Sequence, residues 1–211
     1  MFKAIIFDLD GTLVDSYPGI HQSLNEMLRM LKYPEVDLQT VKRRVGRGII
    51  NLVTESVSPD LVEQGVDIFR ASYDQTHLAG TVLLPDVSWT LGLLYERGVR
   101  MAVASNKPPG FSLNILKHLD ILRYLSGGCA GPNGSIHPKP HPSLLLHVMK
   151  SLAASTDETL YVGDMTLDAE TAANAHVRFA LIPSGGHSRE ELEKVNPDYL
   201  LTDFADLLQI A

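Results

Sequence analysis

Four acids in this chain stand where a carboxylate is placed for chemistry. Asp8 and Asp10 follow the apolar run Ala4-Ile5-Ile6-Phe7, and Asp164 and Asp168 follow Leu160-Tyr161-Val162-Gly163. Side chains alternate along a strand, so residues two apart can share a face. Asp8 and Asp10 are then two close anions, which repel unless a cation lies between them or one is protonated. Gly11 permits a tight exit turn, and Thr12 adds a hydroxyl donor beside it. Asp164 follows a buried run and a glycine, a position better explained by a hard cation such as Mg²⁺ than by packing. Asp168 falls in the first turn of a following helix, where the helix dipole favours any acid. For Asp8 and Asp10 alone, a polar turn after a strand is an equal alternative.

Two further stretches supply cationic and hydroxyl groups. Val103-Ala104-Ser105-Asn106-Lys107 ends another apolar run, and a serine hydroxyl with backbone N–H groups at such a turn makes an anion cradle. Taken alone, a plain helix-entry turn is the more common reading of these residues. In His137-Pro138-Lys139-Pro140-His141-Pro142 the alternating prolines forbid a helix and hold the segment extended. Its two histidines would pair on a metal only from one helical face, so a zinc site is set aside. Lys139 is then a lysine held in a fixed place, suited to an oxyanion or a carboxylate.

The elements that must position these groups follow from periodicity. Ala4–Phe7 reads as a strand buried on both faces, as in a parallel sheet. After Ser16, a plausible helix cap with Pro18 in the first turn, apolar residues recur at helical spacing. Helices are expected near 17–31, 38–45, 49–57 and 61–78, with no strand between them. From Pro85 the chain alternates, with helices near 86–97, 111–119, 142–152 and 168–174. Strands are expected near 99–104, Cys129, 159–162 and 178–182, and Ser188–Glu191 has capping-box spacing. The fold class is therefore α/β, a doubly wound, Rossmann-like parallel sheet with an all-helical insertion. The expected division is 1–15 with 81–211 as the core and 16–80 as the helical insertion.

All the chemistry-bearing residues fall at carboxyl ends of strands, the edge at which open α/β sheets bind ligands. A carboxylate nucleophile, a phosphate and Mg²⁺ satisfy that arrangement. The net charge of −7 argues against nucleic acid or an anionic membrane as partner. Cys129 is the single cysteine, which excludes an internal disulfide and fits a reducing compartment. No signal-peptide pattern and no apolar stretch long enough to span a bilayer is present, so a soluble, cytoplasmic protein is expected.

Asp8-Leu9-Asp10-Gly11-Thr12, Ser105-Asn106, Lys139-Pro140 and Gly163-Asp164-Met165-Thr166-Leu167-Asp168 resemble, in order, the four motifs of the haloacid dehalogenase superfamily. The runs through Asp15-Ser16, Ser105-Asn106-Lys107-Pro108 and Lys139-Pro140-His141-Pro142 are most similar to phosphoglycolate phosphatases. The resemblance implies an Mg²⁺-dependent phosphatase of small phosphorylated metabolites, monomer or homodimer. It implies Asp8 as nucleophile, Asp10 as acid and then base, and Lys139 countering the phosphoryl charge. Mg²⁺ would be held by Asp8, the Asp10 carbonyl and Asp164, with Asp168 orienting its neighbours. Ser105, the Asn106 backbone and Thr12 would contact substrate. The helical insertion 16–80 resembles the superfamily's inserted all-helical cap domain, from which Gly46-Arg47-Gly48 would bring Arg47.

Three rival readings are open to discrimination. A phosphorylatable receiver domain would be shorter, uncapped, and carry its acceptor after a mid-chain strand. A silent binding relative would lack a motif, and none is missing. A β-phosphoglucomutase-like sugar phosphomutase or a pyrophosphatase shares the same core; Thr12 after Gly11 looks more like the hydrolases.

Overall fold

Strands form where apolar runs exclude water on both sides. In the computed structural model, which describes residues 2–211, every residue of β1 (Ala4–Phe7) is buried. In chain order it is followed by β2 (Val14–Asp15), α1 (Tyr17–Met30), α2 (Leu38–Arg44), α3 (Ile49–Thr54) and α4 (Val62–Thr76). Next come β3 (Val82–Leu83), α5 (Val87–Glu96), β4 (Arg100–Ala104), α6 (Pro109–His118), β5 (Cys129–Ala130) and α7 (Ser143–Ser151). The chain closes with β6 (Thr159–Gly163), α8 (Thr166–Ala175), β7 (Arg178–Leu181), α9 (Arg189–Glu193), β8 (Tyr199–Leu200) and α10 (Leu207–Ile210).

Six strands make one parallel sheet in the order β5-β4-β1-β6-β7-β8. From β1 the chain winds outward through β4 and β5, then returns to build β6, β7 and β8 on the other side. The winding reverses between β1 and β6, where Phe7 pairs with Val162. Helices on the two faces of such a sheet leave a crevice at that reversal, beyond the strand ends. Asp8 and Asp164 are the first residues past β1 and β6, so the topology alone makes them neighbours. Alternation along β1 splits its side chains between two cores: Ile5 and Phe7 pack with Leu91 and Val103, Ala4 and Ile6 with Leu145 and Tyr161.

Residues 17–76 fold as four helices around a separate apolar cluster that includes Tyr17, Leu24, Met27, Val53, Phe69 and Tyr73. The chain enters and leaves this layer through β2 and β3, paired antiparallel with Val14 opposite Leu83. That ribbon has no sequence signal, because two residues per strand are too few to show a period. α4 starts at Val62, after a 3₁₀ turn over Pro59–Leu61.

One expected cap is replaced. Ser16 precedes α1 but its side chain makes no capping bond; its hydroxyl donates to Asp10 Oδ1 instead. A buried carboxylate is the stronger acceptor, since charge-assisted hydrogen bonds exceed neutral ones. The Ser188 capping box forms as its spacing predicts, with Ser188 N donating to Glu191 Oε2 at 2.8 Å. Among the described residues, no helix is long and apolar enough to cross a membrane.

Candidate active site

Two of the acids, Asp8 and Asp168, converge on one lysine. Lys139 Nζ lies 2.8 Å from Asp8 Oδ2 and 2.7 Å from Asp168 Oδ1. It also donates to the Tyr161 hydroxyl at 3.1 Å. All of these side chains are buried, so the pairing is what permits their charges to persist. Burial acts to lower the Lys139 ammonium, but Asp168 and then Asp8 override it and hold its pKa well above the usual range.

Asp168 is fully engaged. Its Oδ1 accepts from Lys139 and, at 2.9 Å, from Tyr161. Its Oδ2 accepts from the Asp164 and Met165 backbone N–H groups at 3.2 and 3.1 Å. As the third residue of α8 it therefore closes that helix's N-terminus while steering Lys139 and Asp164.

Asp8 is not satisfied in this way, and each Asp164 oxygen has a single donor. Asp8 Oδ1 is buried without a hydrogen-bond partner. Burial lifts the Asp8 carboxyl from 3.8 to about 6, against the pull of Lys139 and with repulsion from Asp168. Burial, then Asp168 and Asp8, push Asp164 well above its ordinary value, although Thr12 donates to it. Oxygens from Asp8, Asp164 and Asp168 all lie within 4.8 Å of one another. Crowded, dehydrated carboxylates with an orphaned oxygen fit a hard divalent cation, which would relieve both the repulsion and the missing partner. Each Asp168 oxygen takes two donors, whereas each Asp164 oxygen takes one and Asp8 Oδ1 none, so Asp8 and Asp164 keep the acceptor capacity to hold it.

Asp164 is itself positioned by Gly11 and Thr12 of the first motif and by Tyr17 and Gly185, which belong to no motif. Its oxygens accept from Thr12 Oγ1 at 3.0 Å and from the Tyr17 hydroxyl at 3.4 Å. Gly11 and Gly185 pass so close that a Cβ on either would lie 2.4 and 1.6 Å from Asp164 Oδ2. Ser184, next to Gly185, donates to the Gly11 carbonyl at 2.5 Å and ties the two turns together.

The sequence-predicted substrate residues separate into three kinds. Ser105, with Asp8 and Asp10, lines an enclosed chamber beneath the helical layer. Asn106 lines it too, but its side chain is a clamp: Oδ1 accepts from Lys139 N at 2.8 Å, while Nδ2 donates to the Lys139 and Gly46 carbonyls. Thr12 is fully buried and commits its hydroxyl to Asp164, so the structure gives it a holding position. Arg47 is exposed and borders grooves outside the chamber, whereas its neighbours Gly46 and Gly48 line the inside.

Asp10 makes a second buried ion pair, with Lys107 Nζ 2.8 Å from Oδ2. Burial pulls the Lys107 ammonium down, but Asp10 more than reverses this and its pKa is raised. Sequence reasoning placed Lys107 in a turn and gave it no role, since its partner is 97 residues away. Lys107 also lies 4.9 Å from the centroid of the Tyr73 ring in α4. The cavity around these groups is about 40 Å³, room for roughly three waters. A larger groove of about 560 Å³ runs along Gln22, Met30 and Gln75, remote from the acids, so chemistry rather than size marks the site.

A family model described as haloacid dehalogenase-like hydrolase matches residues 5–182, a span that holds every acid above. The chain belongs to this family. Among the family's members, the phosphoglycolate phosphatase of Pseudomonas syringae pv. syringae is 34% identical, over 98% of this chain and 78% of that protein. The phosphoglycolate phosphatase of Rhodospirillum rubrum is also 34% identical, over 98% and 90%. A crystal structure from Haemophilus somnus, titled a predicted phosphoglycolate phosphatase, superposes with TM-score 0.90 at 28% identity, covering 99% and 97% of the two chains. A haloacid dehalogenase-like hydrolase from Streptococcus pneumoniae reaches TM-score 0.91 over 99% and 98%, at 23% identity, and shares the fold. This chain is thus a haloacid dehalogenase-like enzyme, similar to phosphoglycolate phosphatases.

Proposed function

We propose that this enzyme is an Mg²⁺-dependent phosphatase of a small phosphate monoester resembling 2-phosphoglycolate, working through an aspartyl-phosphate on Asp8. The observation that carries this reading is Asp8 itself. It stands at the reversal of the sheet, with one oxygen on Lys139 and the other without a partner. The similarity to curated phosphoglycolate phosphatases supports the substrate class.

In the first half-reaction an Asp8 oxygen bonds to phosphorus as the bond to the leaving oxygen breaks. Asp10 gives its proton to that oxygen. In the second, Asp10 takes a proton from water as the water oxygen attacks phosphorus, which releases phosphate and regenerates Asp8. Lys139, Ser105 and backbone N–H groups of the β4 turn balance charge on the phosphoryl oxygens. Asp8, Asp164 and the Asp10 carbonyl would hold Mg²⁺, whose charge offsets the repulsion between Asp8 and the phosphate. Asp168 keeps Lys139 and the Asp164 turn in register.

Residues 16–80 act in this reading as a cap that moves on the β2–β3 ribbon. A cavity of about 40 Å³ is too small for a phosphate ester, so the layer opens to admit substrate and closes to exclude water. The test is phosphate release from small monoesters and pyrophosphate, 2-phosphoglycolate included, with Mg²⁺ or with EDTA. Release is expected to require the metal and to vanish in Asp8→Asn. Near-normal turnover in that variant would remove Asp8 as nucleophile, and no release from any ester would overturn the phosphatase.

A further inference from the structure

The chamber's upper wall is apolar, formed by Ile20, Leu52, Phe69 and the Tyr73 ring. Among the described residues lining it, Lys107 is the only cation. Its side chain is 5% exposed, and burying an ammonium in such a wall is costly unless anions face it. Of its three N–H donors, one is used by the hydrogen bond to Asp10 Oδ2. The aromatic face of Tyr73 adds a weaker attraction.

Position decides what the remaining donors meet. Lys139 is paired with Asp8, on the phosphoryl side of the reacting bond. Lys107 is paired with Asp10, the group that protonates the leaving oxygen, and so stands on the leaving-group side. Whatever the leaving alcohol carries is delivered into the apolar wall beside a fixed, dehydrated positive charge. Arg47 is exposed outside the chamber.

We propose that Lys107 is a specificity-determining residue whose ammonium receives a carboxylate on the leaving alcohol, so that phosphorylated hydroxy acids are preferred over neutral esters of similar size. A buried group built to meet a partner rejects the analogue that lacks it more strongly than an apolar pocket rejects a misfit. This inference rests on the phosphatase reading above.

The experiment compares kcat/KM for 2-phosphoglycolate and for ethyl phosphate in the wild type, Lys107→Met, Lys107→Arg and Arg47→Ala. Both substrates are expected to suffer in Lys107→Met, because Asp10 loses its partner. The ratio in favour of 2-phosphoglycolate falls by at least about tenfold, and Lys107→Arg retains most of it. Lys107→Gln, which keeps a donor for Asp10 without charge, replaces the Met variant if that variant does not fold. Calorimetry on the Asp8→Asn background gives a readout without turnover: the Lys107 change weakens 2-phosphoglycolate binding at least about tenfold more than ethyl phosphate binding. Equal losses for both esters would reduce Lys107 to a partner of Asp10 and overturn the inference. A ratio that collapses in Arg47→Ala and not in Lys107→Met would overturn it as well. Hydrolysis of neither ester by the wild type would instead overturn the phosphatase reading, and this inference with it.

Discussion

Lys139 shows how much one side chain can carry when it is buried among acids. It is the common partner of Asp8 and Asp168, so its loss leaves two dehydrated carboxylates facing each other. Lys139→Ala is expected to lower kcat by about two orders of magnitude or more, as removal of an oxyanion donor does. Steady-state kinetics checks this; a change confined to KM would make Lys139 a binding group alone. The lysine was legible in the sequence because prolines on both sides fix its backbone. Its bond to Asp168 was not, since nothing local says that α8 would turn its third residue toward that loop.

At the scale of elements, the turn after β7 governs the acid after β6. Gly185 leaves no room for a side chain, since a Cβ there would meet Asp164 Oδ2 at 1.6 Å. Gly185→Ala should therefore displace the Asp164 carboxylate while leaving the sheet and both apolar cores untouched. We expect at least about a tenfold loss of Mg²⁺ affinity, the scale seen when groups orienting a metal ligand are changed, with a folded circular dichroism spectrum. Titration of the purified protein with Mg²⁺ measures it, and unchanged affinity would show that Asp164 does not hold the metal. α1 acts on the same site from the opposite side, through Ser16 on Asp10 and Tyr17 on Asp164. The first turn of the helical layer is thus bonded to the acids it covers.

For the molecule as a whole, the acid cluster links stability to pH and to metal. Without a cation, Asp8 binds a proton more tightly folded, at about 6, than at its ordinary 3.8. Between those values the native state holds more protons than the unfolded chain, so stability falls as pH rises across that window and the loss is complete above it. The raised Asp164 carboxyl acts in the same direction. A divalent cation held by these groups would bind only where they give up their protons. Thermal melts with EDTA and with excess Mg²⁺ should therefore diverge with pH. The rise in Tm on adding metal is small near pH 5 and larger near pH 7. A metal effect that is absent, or equal at both pH values, would contradict this linkage.

The chain by itself determined which groups could react and along which edge they had to lie. Apolar runs such as Ala4–Phe7 and Leu160–Gly163 form buried parallel strands, and a residue after such a run emerges at the carboxyl end whatever follows. Asp8, Asp10, Ser105 and Asp164 were readable for that reason, as were the helices of 17–76, whose period persists over several turns. Only the tertiary structure decided which of these groups touch. The crossing that seats β6 beside β1 joins Asp8 to Asp164 over 155 intervening positions in the sequence. The folding of α4 onto the core brings Tyr73 to Lys107, and the final loops press Gly185 against Asp164. Contacts of that range depend on strand order and helix packing, which no local pattern encodes; they bond the Thr12 hydroxyl to Asp164 and the Asn106 side chain to the Lys139 backbone.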